Sequence, residues 1–83
     1  MFKTGDKLFL RTITYHHVGE VVAVEDGWLR LKDASWVADS GRFHTALELG
    51  ELAEVEHVGE VAVNCSTIVD VFPWLHDLPS ESK

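Results

Sequence analysis

The second half of this chain lacks basic residues. No lysine or arginine occurs from Phe43 to Glu81, whereas residues 1–42 hold six basic and six acidic side chains, whose charges cancel. The cation-free part carries eight carboxylates: Glu48, Glu51, Glu54, Glu56, Glu60, Asp70, Asp77 and Glu81. Because nucleic-acid binding depends on lysine and arginine neutralising phosphates, we expect no direct nucleic-acid partner. A folded surface that carries only negative charge instead favours the approach of basic partners.

Cysteine and long apolar runs are also scarce. The single Cys65 excludes an internal disulfide and leaves no cysteine pair to hold zinc. A lone thiol is compatible with the reducing cytosol. No window approaches the roughly 20 apolar residues that a membrane span needs, and the first residues lack the apolar core of a signal peptide. We therefore expect a cytoplasmic protein with no membrane association.

Catalytic patterns are absent as well. There is no Gly-x-Ser-x-Gly elbow and no glycine-rich loop that would bind phosphate. Ser35 or Ser66 with a histidine and an aspartate, or Cys65 with His57, would be the nucleophile pairs to consider. The five histidines have no paired metal-ligand spacing, although His17, His57 and Glu60 could still meet in space. We expect no enzyme, no cofactor and no metal.

What is present predicts a small, mainly β domain. Hydrophobic residues make up 46% of the 83, which is enough for a folded core. Alternation, β-branched residues and turn signals predict strands at 7–15, 17–24, 28–32, 34–38, 54–63 and 67–72. Helical spacing of apolar residues predicts one short helix at 42–49, with Gly50 as its C-terminal cap. We assign residues 1–72 to a single domain and 73–83 to an extended C-terminal arm.

A five-residue segment occurs twice. His17-Val18-Gly19-Glu20-Val21 recurs forty residues later as His57-Val58-Gly59-Glu60-Val61, with little else matched between the two halves. Coincidence or shared strand-bend chemistry explains this better than a two-fold repeat, which remains the alternative. The glycine inside the strand at 17–24 predicts a bulge or a sharp bend at Gly19, and the strand at 54–63 is either continuous or broken at Gly59.

The order of these elements is similar to the SH3-like and Sm-like small barrels. The residues that carry the likeness are Gly5 to Leu10, Gly19 to Val24, Asp26-Gly27 and Leu29 to Leu31. The resemblance implies a barrel of about five to six short strands. The chain departs from the Sm pattern because it lacks the initial helix and has Trp28 where an Sm motif has asparagine. The likeness therefore implies the barrel and not RNA binding.

A second resemblance is to small uncharacterised proteins of tailed bacteriophages and prophages. Its residues are Asp33 to Phe43, Ile68-Val69-Asp70 and the pattern Trp74-x-x-x-Leu78-Pro79. It implies a virion accessory protein or a small phage regulator, and a location in the virion besides the cytoplasm.

Two sets of side chains are candidates for a partner interface. Trp28 shares the polar face of its strand with Arg30 and Lys32, and an exposed tryptophan among cations is a typical interface anchor. The alternative is that Trp28 packs beneath the helix or the C-terminal arm. The apolar arm could cover its own domain or a neighbouring subunit, and the carboxylates could dock on a basic partner or only solubilise the fold. The predicted interface comprises Trp28, Trp74, Leu75, Leu78, Glu48, Glu51, Glu54 and Glu56.

The sequence thus predicts a non-enzymatic interaction module that is a subunit of a larger assembly. A phage cement, decoration or connector protein is the concrete version, with self-association or another protein as partner. The alternative is an acidic regulator that occupies the basic site of a nucleic-acid-binding or defence protein. In the first case, apolar burial by Trp28 and the arm sets affinity, and removal of residues 73–83 should abolish assembly without unfolding the domain.

Overall fold

The computed structural model describes residues 2–83 and is mainly β, as the sequence predicts. Its single α-helix, α1, spans Phe43–Leu49. The strands are β1 Lys7–Thr12, β2 His16–Glu25, β3 Trp28–Asp39, β4 Glu54–Asn64 and β5 Ile68–Pro73. A 3₁₀ turn, Cys65–Thr67, links β4 to β5. No helix among residues 2–83 has the length and apolar character to cross a membrane.

All five strands form one antiparallel sheet in the order β4-β3-β2-β1-β5. β1 to β4 follow one another as a meander, and β5 returns to pair with β1. β4 and β5 are therefore the two edges, and no ladder joins them in the described part of the chain. The mainly β class is confirmed, whereas the closed barrel implied by the resemblance is not shown.

β3 is one strand where two were expected. The predicted strands at 28–32 and 34–38 are continuous through Asp33, which has a positive φ of 48°. The ladder to β4 shifts register between Leu31 and Ala34 at the same place. Asp33 is thus the extra residue of a bulge and not a break between two strands. Asp tolerates the left-handed region better than most residues do.

Two glycines bend the neighbouring strands at the same level. Gly19 lies at a register shift between β2 and β3, and a Cβ there would be 3.0 Å from the Ala34 Cβ. Gly59 has φ +82° and pairs with Ala34 from the other side. The bend expected at Gly19 is confirmed, and close backbone approach explains the glycine at this position. β4 continues through Gly59, so the alternative of a strand broken there is wrong.

The bend separates two apolar clusters on opposite faces of the sheet. Adjacent residues of β1 divide between them, since Leu8 and Leu10 enter one and Phe9 enters the other. The hairpin cluster comprises Leu8, Leu10, Val21, Leu29, Leu31, Ala34 and Val63. The helix cluster comprises Phe9, Val18, Val37, Ala46, Leu52, Val55 and Trp74. Strand residues build the first, whereas α1, the loop after it and the arm complete the second.

The C-terminal arm packs on its own sheet. The Trp74 ring stacks on Phe9 with centroids 5.8 Å apart, and its Nε1–H donates to the Asp77 carbonyl at 3.1 Å. Lys7 Nζ donates to the His76 carbonyl at 2.5 Å. Because Trp74 is only 2% exposed, removal of residues 73–83 would open the helix cluster. We therefore expect this truncation to destabilise the domain, contrary to the prediction from the sequence.

The turns that position these elements match their sequences. Asp26-Gly27 closes the β2–β3 hairpin, with both residues at positive φ. Gly50 ends α1 in the left-handed conformation (φ 72°), and its N–H donates to the Ala46 carbonyl. This is the cap predicted for the helix, and it directs the chain into the loop that leads to the β4 edge.

Candidate interaction surface

The bulge at Asp33 places two tryptophans of one strand on opposite faces. Trp28 alternates with Leu29, which is buried in the hairpin cluster, so Trp28 lies on the outer face. Trp36 is two residues from Ala34, a member of the same cluster, so it shares the face of Leu29. Past the bend this face is no longer buried, and Trp36 is 41% exposed.

Tyr15 lies beside Trp36. The two ring centroids are 4.6 Å apart with an interplanar angle of 51°. A tight turn holds Tyr15 in place, because the Thr12 N–H donates to the Tyr15 carbonyl at 3.1 Å and the Tyr15 N–H donates to Thr12 Oγ1 at 3.2 Å. The pair is thus a fixed aromatic platform on the sheet surface, with Tyr15 also half exposed.

Carboxylates of the edge strand border this platform. Trp36 pairs directly with Glu56 of β4, so their side chains share a face. Glu54, two residues before Glu56, lies on that face as well. A shallow depression is lined by Trp36, Ala38, Glu54 and Glu56 on this side. We call the group Tyr15, Trp36, Glu54 and Glu56 the aromatic–acidic surface.

Most carboxylates of the second half have no cationic partner. Three ion pairs occur among residues 2–83: Arg11–Asp70, Lys32–Glu20 and Arg30–Glu25. Only Asp70 of the eight acidic residues after Phe43 belongs to one of them. A guanidinium hydrogen bond from Arg11 holds the pKa of Asp70 below its usual value. Glu54 and Glu56 are exposed and lie more than 4 Å from any described lysine, arginine or histidine nitrogen.

His17 is the cross-strand neighbour of Trp36 on the same face of the sheet. It pairs directly with Trp36 on one side and with Leu10 on the other, where the exposed surface passes into the hairpin cluster. The ring is 8% exposed, and its buried Nδ1 has no hydrogen-bond partner in the described structure. Burial lowers the pKa of His17, and the nearby His16 lowers it further. A neutral His17 ring is therefore favoured beside Trp36.

The predicted interface residues do not form one surface. Trp28 is 47% exposed, as its alternation predicts, while Leu75 is 80% exposed on the arm. Trp74 is buried in the helix cluster and Leu78 packs against it, so these two residues cover their own domain rather than a partner. Glu48 and Glu51 are exposed on α1 and on the loop after it. Only Glu54 and Glu56 lie beside an exposed aromatic pair.

Sequence reasoning missed Tyr15 and Trp36. The segment 34–38 reads Ala-Ser-Trp-Val-Ala. Its residues do not distinguish a polar, solvent-facing side of the strand from an apolar one. The bulge at Asp33 reverses the relation between residue number and face, so counting from Leu29 and Leu31 assigns Trp36 to the wrong side. The pairing of Trp36 with Glu56 depends on the register between β3 and β4, which the sequence does not specify.

The nucleophile pairs considered from the sequence have little catalytic geometry. Ser35 Oγ is 3.4 Å from His57 Nδ1 and 3.4 Å from the Pro79 carbonyl, which it reaches as a donor. Ser35 is fully buried, and no carboxylate within the described chain hydrogen-bonds His57. Ser35 therefore links the sheet to the arm. Cys65 packs near the hairpin cluster, at the end of β4 opposite to His57. Residues 2–83 also contain no group of three or more metal-ligating side chains.

The chain matches no protein-family model and no curated protein.

Proposed function

We propose that the protein is a non-enzymatic interaction module that binds a basic protein partner through the aromatic–acidic surface. The observation that carries this proposal is the exposed Tyr15–Trp36 pair beside two carboxylates that lack a cationic partner. Solvent-exposed aromatic rings in a fixed geometry can be buried at little entropic cost, which is why tryptophan and tyrosine dominate binding energy at interfaces.

The chemistry of this surface selects a cation. A lysine or arginine head group over an aromatic face gains roughly 0.5–2 kcal/mol, and more as the site is desolvated. Glu54 and Glu56 add attraction to the same charge, although each exposed ion pair contributes only about 0–1 kcal/mol. The aromatic pair should therefore set affinity, and the carboxylates should set charge selectivity and the rate of approach.

The assembly in which the module works is proposed from the sequence resemblance. A subunit of a phage-type particle, as cement, decoration or connector, would need one side free to bind a neighbour, and the aromatic–acidic surface leaves the folded core intact when it binds. Self-association is checked by light scattering at low and high salt. A defined oligomer that persists in high salt would support a second copy as partner, and a monomer would assign the surface to another protein.

Two tryptophans of similar exposure provide a matched test of the surface. The probe is a hexapeptide of alternating lysine and valine, titrated by NMR and calorimetry at low salt. We expect Trp36→Ala to weaken binding about three- to thirtyfold, since the cation loses its aromatic contact. Trp28→Ala should leave binding unchanged, because Trp28 lies on the opposite face and next to Arg30.

The distribution of chemical-shift changes decides the outcome. Changes centred on Tyr15, Trp36, Glu54 and Glu56 support the proposal. Equal losses from both tryptophan variants, or shifts spread evenly over Glu48 and Glu51 as well, would mean nonspecific attraction to an acidic protein. Absence of binding by the unaltered chain would refute the proposal for this class of partner.

A second candidate function is an acidic regulator that occupies the basic site of a nucleic-acid-binding protein. It is favoured by the seven carboxylates after Phe43 that have no ion pair among the described residues. The two functions differ in salt dependence. Binding through many exposed carboxylates should weaken steeply between low and physiological salt, because screening acts mainly on exposed charges, whereas binding through Trp36 should weaken little.

A further inference from the structure

The outer edge of β4 is partly occupied by the end of the described chain. The Val55 N–H donates to the Lys83 carbonyl at 2.6 Å, and the Lys83 N–H donates to the Val55 carbonyl at 2.7 Å. The His57 N–H donates to Ser82 Oγ at 3.1 Å. β4 is an edge strand, so these bonds take the place of the neighbour that it lacks.

This reciprocal pair of bonds has the pattern of an antiparallel ladder. Residues that exchange both hydrogen bonds lie directly opposite each other, and their side chains share a face. Lys83 therefore shares the face of Val55, which is buried in the helix cluster. Glu54 and Glu56 alternate with Val55 and lie on the other face.

Residues 82–83 thus form hydrogen bonds with the backbone of the β4 edge but do not neutralise the carboxylates of Glu54 and Glu56. Lys83 makes no ion pair within 4 Å with a described carboxylate. The position adjacent to Lys83 on the side of Glu54 and Glu56 is Ser82, which carries no charge. Ser82 and Lys83 form the outer border of the depression that Trp36, Glu54 and Glu56 line.

We infer that the β4 edge at Val55 is a docking site for an extended segment of a partner protein with lysine or arginine at alternate positions. The segment adds as an antiparallel strand and displaces residues 82–83, which occupy the site in cis. Its residue opposite Val55 projects toward the helix cluster, and the flanking residues place cations beside Glu54, Glu56 and Trp36. The inference rests on the proposed function and specifies its partner and its mode of binding.

The mode combines two sources of affinity that are general for strand addition. Main-chain hydrogen bonds to the edge hold any extended segment, and the alternate side chains provide specificity. A cis occupant reduces the apparent affinity to the intrinsic affinity multiplied by the fraction of time that the edge is uncovered. Residues 82–83 therefore act as a selective cover, since an uncharged segment gains too little to displace them.

Two substitutions in the cis segment test the inference in opposite directions. Lys83→Pro removes the N–H that donates to Val55 and should raise the affinity for the lysine–valine hexapeptide about three- to tenfold. Ser82→Lys places a cation beside Glu54 and Glu56 in cis and should lower that affinity by a similar factor. Neither residue belongs to a core cluster, so both variants should fold like the unaltered chain.

The backbone contribution is tested with the peptide and with amide exchange. A hexapeptide methylated on alternate backbone nitrogens, in the register that donates to the edge, should bind at least tenfold more weakly than the unmethylated one. On binding of the unmethylated peptide, the Val55 and His57 amides should become more protected from hydrogen exchange.

The possible outcomes separate the inference from the proposed function. Binding that depends on Trp36 but is indifferent to Lys83→Pro, Ser82→Lys and backbone methylation would overturn the edge site and leave the surface proposal standing. Failure of the peptide to bind any variant would overturn both. Dimerisation of Lys83→Pro without peptide, detected by light scattering, would mean that the edge pairs with a second copy, and the assignment to a partner segment would be wrong.

Discussion

The two halves of the sheet on either side of the bend bury opposite faces. In the half that contains the β2–β3 hairpin, Leu29 and Leu31 point into a cluster made by the strands themselves. In the half that contains α1, Val37 and Val55 point the other way, under the helix and the arm. The change of face occurs where Gly19, Asp33 and Gly59 shift the register of three adjacent strands.

Because the buried face changes at the bend, an aromatic pair is left exposed on this small sheet. The face that is buried in the hairpin half continues past the bend as the face of Trp36 and Tyr15 in the helix half. The helix and the arm pack on the opposite face of the sheet, where they cover Phe9 and Val55. A small domain cannot cover both faces of every strand, and the side that stays open is the one with Glu54 and Glu56.

The largest effect should come from the arm. Trp74→Ala removes the ring that stacks on Phe9 and should lower the free energy of unfolding by about 3–5 kcal/mol, as for other buried aromatic residues. Urea denaturation measures this loss. The matched control is Trp28→Ala, an exposed tryptophan of the hairpin half, which should change stability by no more than about 0.5 kcal/mol.

Hydrogen exchange localises the damage caused by Trp74→Ala. Amides of Val37 and Val55 should lose protection first, while those of Leu29 and Leu31 keep theirs at low denaturant, because the two clusters lie on opposite faces. Uniform loss of protection would show that the halves unfold as one unit. The two halves would then differ in packing and not in stability.

A smaller effect is expected at the bend itself. Gly19→Ala places a Cβ 3.0 Å from the Ala34 Cβ and 3.2 Å from the Leu31 Cβ, which forces two central strands apart. Overpacking of this kind costs about 1–3 kcal/mol, measured by urea denaturation.

Removing the opposing methyl group tests whether the clash is the cause. Ala34→Gly should cost less in the Gly19→Ala background than in the unaltered chain, because it restores room for the new Cβ. Additive losses from the two substitutions would contradict the steric explanation, since residues in contact should show a coupling energy.

Local features of the fold could be predicted from the sequence. The helix, its Gly50 cap, the Asp26-Gly27 turn and the bend at Gly19 follow from residue types that favour one backbone conformation. Each depends on a few neighbouring residues, and the structure has each of them where it was expected.

The candidate site could not be predicted, because it depends on which face each strand buries. Asp33 was interpreted as the end of a strand, although it is one extra residue within β3. That residue decides whether Trp36 faces the core or solvent. The arm posed the same difficulty, since Trp74 in an irregular segment suits either its own domain or a neighbour, and only the position of Phe9 and α1 decides between them.

The smallest effect is a pH dependence at the point where the buried face becomes exposed. The lowered pKa of His17 means that protonation is easier in the unfolded chain, where histidine titrates near 6.5. The stability that the neutral ring contributes is therefore fully present above pH 6.5 and is lost as the pH falls below it toward the folded pKa. Asp70, whose pKa is lowered, loses its contribution only in a more acidic range.

His17→Leu isolates this contribution. The free energy of unfolding of the unaltered chain, measured by urea denaturation, should fall more between pH 7.5 and pH 5.5 than that of the variant, because leucine carries no titrating group into the contact with Leu10 and Trp36. If both chains lose the same amount of stability over this range, His17 is not the group that titrates. His17 would then belong to the exposed part of the face that holds Leu10 and Trp36, and the buried part would end at Leu10.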